Sequence, residues 1–344
     1  MNILVTGGFG YIGSNTVVKL IQSGHKVVIL DNLVNSFLTT ISKIESITKK
    51  GVPFFLEDCG NTSVVISILK EYSIDTVIHF AGLKSVTESV LKPIEYYNNN
   101  VAGTLSVLLA MKNTGVTRLV FSSSAAVYGI TEESPITELH SCNPVNSYGQ
   151  SKYLVEKILK DVCTSSPMWK VLCLRYFNPI GSDTTASLGD NPKSQTKNLI
   201  PLLCRVAQGE IPHVDVYGDN FNTRDGTGVR DYIHVEDVAQ GHLAALTALN
   251  NVAGFDVVNL GTSKGYTVLE VIKTMEKVSK KSIPFQICSA RRGEIDCYYA
   301  DVTKANNLLG WKATHDLESM CSSAWHFANN KGLTHANNSS LQYS

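Results

Sequence analysis

The sequence predicts an α/β protein: a doubly wound parallel sheet followed by a smaller, mixed α/β C-terminal lobe. Three observations predict it. Short apolar runs alternate with longer amphipathic stretches through the first half of the chain. A glycine-rich turn joins the first run to the first stretch, and after about Phe177 the alternation gives way to a tract rich in Gly, Asn, Asp and Pro. At 344 residues the chain exceeds what one hydrophobic core usually covers, so two lobes are expected.

Taken in order, residues 3–6, 27–30, 54–56, 76–80, 119–122 and 171–174 read as strands, and the helical stretches between them make those strands parallel. Residues 14–23, 62–72, 93–113 and 147–163 have helical spacing, with Gly24 and Gly115 placed as C-terminal stops. Beyond them a short helix is expected at 199–207. The segment 231–261 again reads strand, helix, strand, with Val235, Val238, Leu243, Leu246 and Leu249 turned inward, and such a unit is able to return to the first sheet. Helices at 268–278 and 317–328 complete the chain. The expected division is 1–178 and 179–333, with 334–344 as a frayed polar end.

Composition narrows the function. With 43% hydrophobic and 17% charged residues the chain is an ordinary globular protein. Its 30 basic and 30 acidic residues balance, so nothing draws it generally to nucleic acid or an anionic membrane, and any anion must be held by local contacts. The eight cysteines form no C-x-x-C pair, which argues against zinc or a disulfide framework and for a reducing compartment. The chain opens on an apolar strand without a basic leader, and no stretch is long enough to span a bilayer. A cytoplasmic location is the expectation.

Gly7, Gly8, Gly10 and Gly13 stand between the first strand and the first helix. There glycine permits a tight turn and close backbone approach, and a helix N-terminus offers unpaired N–H groups to a pyrophosphate. Asp31 ends the second strand, where a carboxylate accepts from the adenine ribose hydroxyls. It would repel a 2′-phosphate, and 32–36 offers no arginine, so NAD is expected rather than NADP. Asp58, after the third strand, fits an adenine contact and a surface turn equally well.

Tyr148 and Lys152, four residues apart in an expected helix, share one face. Bringing a phenol from about 10 to near 7 takes roughly 4 kcal/mol of phenolate stabilisation, for which Lys152 and a positively charged nicotinamide are the available sources. Ser124 ends the fifth strand at the carboxyl edge of the sheet, placed to hold or relay a substrate hydroxyl proton. His79 and His234 lie in strand-like runs and read as satisfied core residues.

The stretches Thr6-Gly7-Gly8-Phe9-Gly10-Tyr11-Ile12-Gly13, Ile29-Leu30-Asp31-Asn32, His79-Phe80-Ala81-Gly82-Leu83-Lys84, Arg175-Tyr176-Phe177-Asn178-Pro179 and Asp225-Gly226-Thr227-Gly228-Val229-Arg230-Asp231-Tyr232-Ile233-His234-Val235, together with Ser124, Tyr148 and Lys152, resemble the extended short-chain dehydrogenase/reductases. Within that family they resemble the UDP-galactose 4-epimerase family, over nearly the whole chain. The resemblance implies a Rossmann domain, bound NAD, UDP-glucose and UDP-galactose as substrates, and a homodimer. It implies contacts to NAD from Tyr11, Ile12, Asp31, Asn32, Asn35, Ser36, Asp58, Cys59, Phe80, Ala81, Lys84, Asn99, Ser124, Tyr148, Lys152 and Phe177. To the UDP-sugar it implies contacts from Lys84, Ser124, Tyr148, Phe177, Asn178, Asn198, Leu199, Val216, Tyr217, Arg230, Arg291, Glu294 and Tyr298.

Arg230 and Arg291 suit a pyrophosphate clamp. Glu294 departs from the family's usual aspartate and Ala126 from its usual threonine. Tyr298 falls where a bulky ring implies exclusion of N-acetylated sugars. The activity expected is reversible inversion at C4 through a 4-ketose, without net oxidation. Against it stand a 4,6-dehydratase or decarboxylase on the same scaffold, and a non-catalytic NAD-sensing protein. Where dehydratases carry an Asp-Glu pair this chain has Ala125-Ala126, and Tyr148 and Lys152 are both retained.

Overall fold

The computed structural model describes residues 1–131, 133–193, 198–291 and 294–339, with side chains as far as residue 330. The first half supplies β1 (Asn2–Thr6), α1 (Tyr11–Gln22), β2 (Lys26–Leu30), α2 (Thr40–Thr48), β3 (Phe54–Phe55), α3 (Thr62–Glu71), β4 (Thr76–His79), α4 (Val86–Leu91), α5 (Pro93–Tyr97), α6 (Gly103–Thr114), β5 (Arg118–Ser124), α7 (Ser147–Ser165) and β6 (Lys170–Tyr176). The second supplies β7 (Asn178–Ile180), α8 (Leu199–Ala207), β8 (Val214–Tyr217), β9 (Val229–His234), α9 (Val235–Ala248), β10 (Phe255–Leu260), β11 (Gly265–Thr267), α10 (Val268–Ser279), β12 (Phe285–Cys288), β13 (Cys297–Tyr298), α11 (Thr303–Leu309) and α12 (Leu317–Ser339).

A seven-stranded sheet runs β10-β6-β5-β4-β1-β2-β3, and every pairing in it is parallel. Its central strands β1, β4, β5 and β6 are buried on both faces, which is why they read as unbroken apolar runs. Ile3 and Val5 of β1 join one core with Val17 of α1 and Leu246 of α9. Leu4 joins the other with Ile68 of α3, Val107 of α6 and Leu159 of α7. The strand order turns round between β1 and β4, where Thr6 lies beside His79. At such a reversal the chains leaving the two strand ends diverge to opposite faces and leave a crevice.

The segment 231–261 divides between sheets. β10 takes the edge of the large sheet beside β6, and α9 packs on α1. β9 instead belongs to a smaller sheet with β7, β11 and β13, while β8 pairs with β12. A third core, with Leu203 of α8, Val216 of β8, Met275 of α10 and Trp325 of α12, lies under these elements.

Gly24 and Gly115 take the left-handed backbone expected of helix stops. The helix expected over 93–113 is divided: α5 and α6 are separated by a π-helical turn, Asn98–Ala102, whose asparagines bond inward rather than following a regular ladder. The last helix continues past residue 328 to Ser339, since no proline interrupts it. Among the described residues no helix is long and apolar enough to cross a membrane.

Candidate active site

The crevice between β1 and β4 is lined by the glycine loop. Gly7 has φ +70°, and a Cβ there would lie 2.7 Å from the Ala81 nitrogen; one on Gly13 would lie 2.2 Å from the Gly7 oxygen. Bare backbone thus brings β1, the start of α1 and the end of β4 together. α1 begins after Gly10 without a side-chain cap, leaving its N–H end for an anion. Asp31, buried at the end of β2, accepts from the Phe9 N–H (2.9 Å), the Leu33 N–H (2.9 Å) and Ser36 Oγ (2.7 Å). A carboxylate offers about four lone-pair positions, so room remains for a ribose hydroxyl.

Gly7, Gly10, Tyr11, Ile12, Gly13, Asp31, Asn32, Asn35, Ser36, Cys59, Phe80, Ala81, Lys84, Asn99, Tyr148 and Lys152 line one cleft. Asp58, Ser124 and Phe177 are not among its lining residues. Asp58 Oδ2 accepts from Asn32 Nδ2 at 2.7 Å and Oδ1 from the Gly60 N–H at 2.6 Å, the turn role that its position also allowed. The Cys59 thiol is pushed up to about 12 by burial, with Asp58 adding to it, so it is a wall of the cleft and not a nucleophile. Asn99 Oδ1 accepts from the Leu83 N–H (3.2 Å), and Lys84 Nζ meets Asp190 Oδ1 (3.0 Å). The bare helix end, the buried carboxylate and the glycine packing fit a dinucleotide such as NAD.

α7 starts under an Asn146 cap, whose Oδ1 accepts from the Gly149 N–H at 2.8 Å. A Cβ on Gly149 would approach the Ala126 oxygen to 2.6 Å, so this glycine lets the first turn of α7 sit against the chain just past Ser124. Tyr148, half-buried, opens on the cleft. Burial raises its pKa, and a hydrogen bond with Ser124 opposes that. Lys152 is buried, 4.9 Å from the Phe121 ring, and its Nζ donates to the Ser122 carbonyl at 2.8 Å. Its pKa is lowered to about 8 by burial, against the effects of Cys173 and Glu156. The Lys152 ammonium is thus held by the Ser122 carbonyl, one turn of α7 from Tyr148, while the phenol's own hydrogen bond is with Ser124.

A second cleft is lined by Asn178, Asn198, Leu199, Val216, Tyr217, Arg230, Arg291 and Glu294. Arg230 Nη2 pairs with Glu294 Oε1 at 2.8 Å, and Nη1 donates to the Val229 and Ile295 carbonyls. Arg291 lies 3.8 Å from the centre of the Tyr217 ring. Tyr298 does not line this cleft; its hydroxyl donates to the Ala125 carbonyl (2.5 Å) and its ring lies 5.5 Å from that of Phe177. The two clefts share Tyr11, Asp190, Asn191, Pro192 and Phe327, so they are continuous. Asp190 was missed by the sequence reading: its signal, a Gly-Asp-Asn-Pro run, read only as irregular chain.

The core histidines are satisfied as expected. His79 bonds Thr6 and Thr104 and is lowered to about 3 by burial. His234, Glu236 and His315 lie close enough to suggest a metal group. However, His234 Nδ1 accepts the Glu236 N–H, which puts the ring proton on Nε2, toward Ser323, and leaves neither nitrogen free to ligate.

A family model described as GDP-mannose 4,6 dehydratase matches residues 4–324. The UDP-glucose 4-epimerase of Bacillus subtilis (strain 168) is 47% identical over 325 residues, covering 94% of this chain and 96% of that protein. That of Dictyostelium discoideum is 48% identical over 324 residues, covering 94% of each. The chain belongs to the UDP-glucose 4-epimerase family. A UDP-glucose 4-epimerase structure from Stenotrophomonas maltophila, with bound NAD and formylated UDP-arabinopyranose, superposes with a TM-score of 0.95 at 42% identity, covering 97% of this chain and 99% of that one. One from Bifidobacterium longum, in complex with NAD+ and UDP, gives 0.91 at 45% identity, covering 96% and 99%. The residues at the end of β5 bear on the dehydratase alternative. Here Ala125, buried with its carbonyl taken by Tyr298, and Ala126 follow Ser124, so no acid and base stand there for an elimination.

Proposed function

We propose that this chain interconverts UDP-galactose and UDP-glucose by inverting C4 of the hexose. The observation that carries the proposal is the position of Tyr148: bonded to Ser124, near a buried Lys152, and facing a nucleotide cleft that runs on into a second cleft holding Arg230 and Arg291. NAD, when bound, supplies a reversible acceptor for the C4 hydride. Gly7, Gly10 and Gly13 with the N-terminus of α1 would hold its pyrophosphate, and Asp31 its adenine ribose. Arg230 and Arg291 would hold the UDP pyrophosphate. Tyr148 as phenolate takes the C4 hydroxyl proton and later returns it, while Ser124 orients that hydroxyl. The sugar passes through a 4-ketose and leaves with no net oxidation.

The purified protein, given UDP-galactose and no added NAD, is expected to form UDP-glucose. A 6-deoxy-4-keto product, or none, would overturn this reading.

Val90 and Leu91 of α4, Ile94 of α5 and Leu109 of α6 are exposed by 62%, 78%, 79% and 53%. Exposed apolar side chains on these three helices suit a second copy of the chain and support a homodimer. Sedimentation should give a dimer that Leu91→Glu dissociates. The balanced charge and lack of paired cysteines support a cytoplasmic location.

A further inference from the structure

Glu156 takes no part in the steps above, yet it lies on the same stripe of α7 as Tyr148 and Lys152, four residues on from the lysine. The last three residues of β5 each hold one member of that stripe. The Ser122 carbonyl accepts from Lys152 Nζ at 2.8 Å, Ser123 Oγ donates to Glu156 Oε1 at 2.5 Å, and Ser124 bonds Tyr148. Arg175, the cross-strand neighbour of Ser123 on β6, closes the arrangement. Its Nε meets Oε1 at 2.9 Å and its Nη2 meets Oε2 at 2.5 Å. Glu156 is 3% exposed and Arg175 5%.

Burying two charges costs several kcal/mol per ion, and a buried pair is often no more stabilising than an apolar pair of the same volume. Stability alone therefore does not account for ions at this place. Arg175 Nη1, moreover, is buried without a hydrogen-bond partner among the described residues.

The ionisable groups that interact with Lys152 or with its neighbours Tyr148, Glu156 and Cys173 come from three elements. They are Tyr148 and Glu156 on α7, Cys173, Arg175 and Tyr176 on β6, and His79 on β4. Burial keeps the Cys173 thiol and the Tyr176 phenol protonated and His79 neutral. That leaves Glu156 as the one resident anion in the set, with Arg175 as a second cation that its carboxylate offsets.

We propose that Glu156, clamped by Arg175 and Ser123, is a positioning residue that holds Lys152 in its charged form beside Tyr148. It touches neither substrate nor cofactor; it acts through the lysine. This rests on the epimerase reading, in which a charged Lys152 favours the phenolate. The sign follows from the charges. Without the carboxylate the ammonium loses the attraction of Glu156 and the Arg175 guanidinium is left unneutralised in the same buried network, so Lys152 gives up its proton at lower pH.

The test is the alkaline limb of kcat/KM for UDP-galactose against pH, with thermal unfolding and bound-NAD content measured on the same samples. Glu156→Gln is expected to move the limb down by about one pH unit, an approximately tenfold loss at pH values where both proteins are on the falling limb. Glu156→Asp, which keeps the charge, should leave the limb in place. If an unpaired Arg175 prevents Glu156→Gln from folding, the double variant Glu156→Gln/Arg175→Met removes both buried charges. Its limb should also move down, by less, because the competing cation has gone too. A purely structural role predicts lower stability with the limb unmoved, and that result in either folded variant lacking the carboxylate overturns the proposal. Absence of activity in the unaltered protein would instead remove the epimerase reading.

Discussion

The two clefts are built in different ways. In the nucleotide cleft the decisive contacts are backbone: Gly7 against Ala81, Gly13 against Gly7, and the Phe9 N–H on Asp31. In the second cleft the cations are already engaged by side chains and carbonyls from distant segments, Arg230 with Glu294 and Arg291 over Tyr217. The first is formed by the turn itself and asks little rearrangement of its ligand. In the second, a pyrophosphate must compete with partners that hold the arginines in place. Retained cofactor beside exchanging substrate is the behaviour such a pair of sites favours.

The largest expected effect lies where the clefts serve one reaction. Tyr148→Phe should lower turnover by at least about a hundredfold with fold and bound NAD intact, because general acid–base catalysis contributes about 10²–10⁴-fold. Near-normal turnover would remove Tyr148 from the mechanism. Next, Arg291→Ala should lower kcat/KM by roughly ten- to 150-fold, the worth of about 1.5–3 kcal/mol of charge-assisted hydrogen bonding. Most of this should appear in KM, with NAD content unchanged. Loss of NAD from that variant would break the separation of the two sites.

The difference between the clefts also explains what was legible in the sequence. Gly7, Gly10, Gly13 and Asp31 lie within one βαβ unit, so their spacing alone predicts their meeting at a strand reversal. Tyr148 and Lys152 share a face through helical periodicity. No periodicity joins Asn198, Tyr217, Arg230 and Arg291; only the family resemblance brought them together before the fold did. Three details escaped both routes. The π turn at Asn98–Ala102 depends on inward asparagine bonds, the hold of Ser122 on Lys152 depends on a backbone carbonyl, and Asp190 reaches Lys84 across 106 residues of sequence. Each is a tertiary contact with no local signature.

Tyr298 sharpens the comparison from the substrate side. Packed on Phe177 and bonded to the Ala125 carbonyl, it buttresses the catalytic turn without lining either cleft. If the ring closes on the hexose beside C2 when substrate binds, an acetamido group there must displace this aromatic pair, and overpacking costs about 1–3 kcal/mol, or roughly five- to 150-fold in rate. Tyr298→Cys is expected to raise kcat/KM for UDP-N-acetylglucosamine by up to that factor with little gain on UDP-galactose. Its Tm should fall through the lost packing and hydrogen bond. Equal use of both sugars by the unaltered protein would show that the ring does not discriminate.

The smallest effect is expected where the clefts meet. Asp190 belongs to a stretch that lines both, and its pairing with Lys84 ties that stretch to the chain leaving β4, on the far wall of the nucleotide cleft. Lys193 adds a second tie, donating to the Leu33 carbonyl at 2.5 Å. A strap fastened at both edges should slow cofactor escape. The fastening is weak, however, since the Lys84 side chain is 43% exposed and that of Asp190 17%. Ion pairs so placed contribute about 0–1 kcal/mol, and salt screens them. Asp190→Asn should therefore speed release of bound NAD by no more than about fivefold, measured by exchange into isotopically labelled NAD. Raising ionic strength should shift the unaltered protein toward the variant's rate. Indifference of the exchange rate to both the substitution and salt would mean that the glycine turn and Asp31 retain the cofactor unaided, and the two sites would then differ still more sharply than their geometry implies.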